Sequence, residues 1–191
     1  MKLVVGLGNP GRRYDQTRHN VGFAMAAEFA KMIGGDSPRG RFDGDWIEGS
    51  VEGTKVGLLC PLKYMNASGL SVRQATDFYK LSAADVLVVC DDMNLPLGRL
   101  RIRAGGSAGG QKGLADVIRH LATDRVPRLR VGIDPPPSGW NVPDYVLSKF
   151  KSSEQATVDQ AVQRAAFAAA DWVQHDLAFC MNRYNGKDES D

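Results

Sequence analysis

Three cysteines in 191 residues, with no CxxC pair among them, are too few and too scattered for a disulfide framework or a zinc site. Cys60, Cys90 and Cys180 read instead as buried structural thiols. No apolar run approaches the roughly 18 residues that cross a bilayer, which excludes a transmembrane helix. Met1 opens directly onto Lys2-Leu3-Val4-Val5-Gly6, too short a stretch for a secretory signal, so the cytoplasm is the expected compartment. Excess charge of one sign is also lacking. The 24 basic and 22 acidic side chains leave a net +2, so any nucleic-acid binding has to come from how the charge is distributed. Neither a heptad nor a strong exposed apolar stripe is present, and a monomer is expected. Glycine is what the chain has in excess: of its 21 glycines the surplus over the usual share is concentrated in a few loops, where function is to be sought.

The 43% hydrophobic and 24% charged fractions are those of an ordinary globular chain. Lys2 to Leu7 is a continuous apolar run ending in glycine, the pattern of a buried parallel strand. Phe23, Ala26, Ala27, Ala30 and Ile33 recur at helical spacing and stop at Gly34-Gly35. Asp36 to Gly44 reads as a loop. Trp46 to Val51 and Lys55 to Cys60 flank Glu52-Gly53-Thr54 as a hairpin, and a helix follows from Ser68 to Lys80. Asp85 to Cys90 is a second buried strand, Leu97 to Arg103 an alternating one, and Arg128 to Ile133 another. Helices are expected at Leu114 to Leu121, Ser152 to His175 and Asp176 to Tyr184. The prediction is an α/β fold: a single domain over residues 1–185, with a mixed, largely parallel twisted sheet covered by helices on both faces. Residues 186–191 are expected to be a disordered tail.

Two glycine motifs invite nucleotide readings, and both fail on context. Gly6-Leu7-Gly8-Asn9-Pro10-Gly11 spells GxGxxG after a strand. A dinucleotide helix must start inside the motif, however, whereas Pro10 and the polar run Arg12 to His19 delay this one by about ten residues. The loop from Gly105 to Gly113 lacks the Gly-Lys-Ser/Thr of a phosphate loop. It remains a flexible backbone nest that opens a helix and can offer N–H groups to an anion or a carbonyl oxygen.

Ligands of open α/β sheets gather beyond the carboxyl ends of the strands. That rule selects Asn9 after the first strand, Asp91-Asp92 after the second, His19-Asn20 before a helix, and Lys63-Tyr64-Met65-Asn66 before another. One imidazole, one or two carboxylates and several carboxamides, with no serine or cysteine elbow, suit activation of water. A histidine can take the proton while a carboxylate fixes its tautomer, and carboxamides can orient an ester or hold its oxyanion. Taken singly, His19 could equally be a helix-start residue bonded to nearby backbone, and Asn9 and Asn66 could be caps.

The string Val5-Gly6-Leu7-Gly8-Asn9-Pro10-Gly11, followed by Tyr14 and Thr17-Arg18-His19-Asn20-Val21-Gly22, resembles the signature of bacterial-type peptidyl-tRNA hydrolases. The segments Tyr64 to Gly69, Asp91 to Gly98, Gly109 to Leu114 and Arg128 to Ile133 follow in that family's order and spacing. The resemblance implies hydrolysis of the ester joining a peptide to the terminal ribose of tRNA, which recycles tRNA from stalled translation without a metal or organic cofactor. It implies His19 as general base, Asp91 as its orienting partner and Asn9 as a holder of the ester or peptide end. Asn66 would bind the peptide backbone, and Tyr14 and Met65 would line the channel. One departure stands out: Gln111-Lys112 stands where the family usually has His-Asn or a close variant. A lysine cannot accept a hydrogen bond. Lys112 could contact phosphate, stabilise developing negative charge, or be a surface residue.

Arg99, Arg101 and Arg103 alternate with Leu100 and Ile102, so one strand shows guanidinium groups on one face and apolar groups on the other. Arg128 and Arg130 repeat the pattern, and Arg12, Arg13 and Arg18 flank the expected site. A solvated edge with scattered salt bridges explains any one arginine; the alternation favours RNA backbone. By analogy with the family, Arg103 and Arg130 take the tRNA 5′-phosphate. The rival classes are an RNA-binding relative without catalysis, which has no need of His19, Asn9, Asn66 and Asp91 together, and a small-molecule esterase, which leaves the arginines unexplained.

Overall fold

The apolar run after Lys2 forms β1 (Lys2–Gly6), buried along its length because both faces are covered. In chain order there follow α1 (Val21–Met32), β2 (Arg39–Arg41), β3 (Gly44–Val51), β4 (Thr54–Pro61), α2 (Ser68–Tyr79), β5 (Val86–Asp92) and β6 (Leu100–Arg103). The chain continues through α3 (Lys112–Leu121), β7 (Arg128–Gly132), α4 (Val142–Val146), α5 (Gln155–Gln174) and α6 (Leu177–Tyr184). The computed structural model describes residues 1–186; the expectation of a disordered tail lies, from Lys187 on, outside the described residues.

Among the described residues the strands form one mixed seven-stranded sheet in the order β2-β3-β4-β1-β5-β7-β6. Its four central strands, β4, β1, β5 and β7, run parallel, and antiparallel β3 and β2 on one side and β6 on the other complete it. The short β2 lies inside the stretch read as a loop; it is three residues pairing with β3 at an edge, too short for periodicity to show. The β3–β4 hairpin turns on Glu52 and Gly53, both at positive φ, which matches the twist of the flanking strands.

The sheet carries two cores. On one face α1 and the alanine-rich α5 pack Met25, Phe29, Ala165, Ala169 and Trp172 against Val4, Leu87 and Leu129. On the other, α2 and α3 pack Val72, Leu114 and Val117 against Leu3, Val5 and Val88. Where α1 meets the end of β1 there is no room for side chains. A Cβ on Gly6 would lie 2.4 Å from the Gly22 carbonyl oxygen, and one on Gly22 would lie 2.4 Å from that of Leu7. This backbone contact brings the start of α1, and the residues just before it, over the carboxyl ends of β1 and β5.

The arginine pattern needs correction on β7. Arg128 does not face solvent: it is fully buried. Its guanidinium donates to the carbonyl oxygens of Val126, Gly106, Ser107 and Asp124, tying down the glycine loop. Burial, and then the neighbouring Arg130 charge, push it down from its ordinary value. Arg18 is likewise 3% exposed, ion-paired to Glu154 at 2.8 Å and stacked on Tyr145 and Phe150. β6 is an edge strand, so Arg103 stays exposed, whereas β7 is an interior strand whose arginines are covered by the loop.

Candidate active site

The carboxyl ends of β1 and β5 open into a cleft of about 250 Å³. The loop after β1 supplies Asn9. The 3₁₀ turn Arg18–Asn20 supplies His19, β5 ends in Asp91 and Asp92, and the turn Met65–Ala67 supplies Met65 and Asn66. Gln111 and Lys112 come from the start of α3, and Arg130 from β7. Tyr14 and Arg103 are not among the residues lining the cleft. Tyr14 stands edge-on to Tyr64, 6.5 Å between ring centres, and Tyr64 is the ring that reaches the cleft. Arg103 pairs in register with Arg128 at the start of β7, the end away from the cleft.

His19 and Asp91, 72 residues apart in the chain, meet at the cleft floor. Nδ1 of His19 lies 2.9 Å from both carboxylate oxygens of Asp91. A carboxylate only accepts, so Nδ1 carries the proton in the neutral ring and Nε2 is left with a lone pair. His120 and His175 lie elsewhere, on α3 and at the end of α5. Asn9 is held from two sides. Its backbone N–H donates to Asn20 Oδ1 at 2.8 Å, and Asn20 Nδ2 donates to its carbonyl at 2.9 Å. Its own Oδ1 accepts the Met65 N–H at 2.8 Å. The amide group of Asn9 is therefore the end left to donate to a ligand. Asn66 and Lys112 are exposed on the cleft rim, and Met65 is buried in its wall.

Arg130 is 18% exposed at its side chain; it pairs with Asp92 Oδ2 at 3.2 Å and donates to the Ser107 carbonyl. Three contributors to the site were absent from the sequence reading or unassigned in it: Gln111, Asp92 and a wall formed by Val142, Pro143, Val146 and Leu147 of α4 and its end. The signal for α4 was present in Asn141-Val142-Pro143-Asp144: a capping asparagine, a proline in the first turn and an acidic third residue. Among the described residues no group of three or more His, Cys, Asp or Glu side chains is gathered as a metal site would need. The cysteines are free thiols; burial pushes Cys60 up to about 12 and Cys180 up to about 11, so neither supplies a thiolate near neutral pH.

A family model described as peptidyl-tRNA hydrolase matches residues 3–191. The chain belongs to the peptidyl-tRNA hydrolase family. It is 54% identical over 185 residues to the peptidyl-tRNA hydrolase of Rhodopirellula baltica, covering 97% of each chain. It is 45% identical to that of Bacillus cytotoxicus, over 97% of this chain and all of the relative. The crystal structure of the Acinetobacter baumannii peptidyl-tRNA hydrolase superposes with a TM-score of 0.91 at 37% identity, covering 97% of this chain and 95% of that one. Membership in the peptidyl-tRNA hydrolase family makes the protein a hydrolase of translation whose substrate is peptidyl-tRNA. No helix among the described residues is long and apolar enough to cross a membrane.

Proposed function

We propose that His19 is the general base of peptidyl-tRNA hydrolysis and that Asp91 fixes its tautomer. The observation that carries this reading is the 2.9 Å contact of His19 Nδ1 with the Asp91 carboxylate on the cleft floor. Nε2 takes a proton from water, and the water oxygen attacks the ester carbonyl. The tetrahedral oxyanion accepts a hydrogen bond from the Asn9 amide. Collapse breaks the bond to the ribose oxygen, and the imidazolium returns the proton to that oxygen, releasing tRNA and a peptide carboxylic acid, which gives its remaining proton to solvent. Asp91 stays ionised throughout and stabilises the imidazolium.

Substrate binding divides along the cleft. Asn66 addresses the peptide backbone, Met65 gives an apolar wall, and Tyr14 braces Tyr64 at the rim. Lys112, exposed at the first turn of α3, offers a positive charge to the RNA or to the developing oxyanion. Arg103, exposed on the edge strand, and Arg130, through the donors that Asp92 leaves it, hold the tRNA phosphate. The protein acts as a monomer in the cytoplasm, without a cofactor.

The test is cleavage of peptidyl-tRNA and of unblocked aminoacyl-tRNA by wild type and His19→Ala. Wild type cleaves the first in preference to the second. His19→Ala, still folded by circular dichroism, loses about 10²–10⁴-fold in kcat. Full activity in His19→Ala would remove the general-base assignment.

A further inference from the structure

Gln111 occupies the cap of α3 in an unusual way. Serine, threonine, aspartate and asparagine are the side chains that ordinarily cap a helix, and each is short. The glutamine Oε1 accepts the Leu114 N–H at 2.7 Å, as a cap does. Its extra methylene carries the amide on to Asp91, with Nε2 3.0 Å from Oδ1, and to the Met65 sulfur at 3.2 Å. The amide orientation is fixed without ambiguity, because a backbone N–H can only donate and its partner must be the carboxamide oxygen. The NH2 group therefore faces the carboxylate. Gln111 is itself buried, 8% exposed. It joins the two arms of the cleft, since Met65 is also held through its N–H by Asn9.

We propose that Gln111 is a positioning residue that acts through Asp91. Its amide fixes the plane of the carboxylate beneath His19 and draws off part of its charge, and so sets how firmly His19 holds a proton. This rests on the reading of His19 as base and Asp91 as its partner. An asparagine at this position would still cap α3 but would be one methylene too short to reach Asp91. Without the donor, the carboxylate turns more negative charge on the imidazole and the protonated ring persists to higher pH. The base form is then scarcer on the acid side. The other charged or titratable groups around the pair stay in place: Asp92 with Arg130, Lys112 and Tyr64 in the cleft, Arg18 with Glu154 beside the His19 turn, and the buried Cys90 thiol next to Asp91 on β5.

The experiment compares wild type, Gln111→Asn, which keeps the cap, and Gln111→Met, which keeps the length and loses the cap together with the bonds to Asp91 and the Met65 sulfur. Three readouts are taken: kcat/KM against pH on peptidyl-tRNA, the melting temperature, and the pH titration of the His19 ring by NMR, which needs no substrate. The acid limb and the NMR midpoint move up together by about 0.5–1 pH unit in both variants, a roughly 3–10-fold loss of kcat/KM on the acid side. KM is unchanged, and Gln111→Met, which also loses the cap, melts earlier than Gln111→Asn. An unmoved midpoint and limb in Gln111→Asn, whatever the melting temperatures, would reduce Gln111 to a helix cap. If the midpoint moves while His19→Ala retains full activity, the electrostatic link stands and the general-base reading is what fails.

Discussion

Each polar group at the cleft floor has its hydrogen-bonding direction set by a partner that can only donate or only accept. Asp91 accepts from His19, Met65 N–H donates to Asn9, and Leu114 N–H donates to Gln111. Asn9→Asp separates holding from chemistry: the new carboxylate still accepts the Met65 N–H but has no amide to offer an oxyanion. We expect a loss of about 10²–10³-fold in kcat. Thermal denaturation should show Asn9→Asp far less destabilised than Asn9→Ala, which abandons the Met65 N–H at a cost of about 1–3 kcal/mol. At this scale the sequence was informative for His19, Asn9 and Asp91, because strand ends gather ligands and those three follow strands or precede a helix. It marked Gln111 only as half of the Gln111-Lys112 departure, with no role of its own. A carboxamide beside a lysine has no periodicity, and only the fold shows which of the two turns inward.

Between elements, the start of α5 is pinned to the His19 turn by the pair of Arg18 with Glu154. Burial raises the Glu154 carboxyl, but the Lys151 N–H and the Arg18 guanidinium outweigh it and hold it below its ordinary value. A carboxyl depressed in the folded state contributes stability above its unfolded value, about pH 4.3, and that stability is lost as pH falls through the folded value. Glu154→Gln should therefore cost about 1–3 kcal/mol at neutral pH. Melting curves from pH 7 to pH 3 should show the gap to wild type closing below about pH 4; a gap constant with pH would show that the carboxylate charge contributes nothing. Most elements were legible because their periods were clean. The exceptions have physical reasons: β2 is too short to show a period, and α4, only 5 residues long, carries a capping signal but no period. Alternation on β7 gives the face of Arg128 and Arg130 but not the loop folded over it.

Over the whole molecule, a net charge of only +2 places the burden of holding tRNA on local arrangement. Arg103 is exposed on the edge strand β6, whereas the guanidinium groups of the interior strand β7 are bound to the glycine loop and to Asp92. Arg103→Gln should raise KM with little change in kcat and lower the log–log salt slope of kcat/KM by about 0.7, the loss of one contact to single-stranded RNA. An unchanged slope would take Arg103 out of the phosphate site. The pairing of His19 with Asp91 is tested most directly by single-turnover cleavage of saturating peptidyl-tRNA by Asp91→Asn, which keeps the shape and removes the charge. We expect the rate to fall by about 10²–10⁴-fold with the melting temperature nearly unchanged; a rate equal to that of wild type would contradict the pairing as the source of the base.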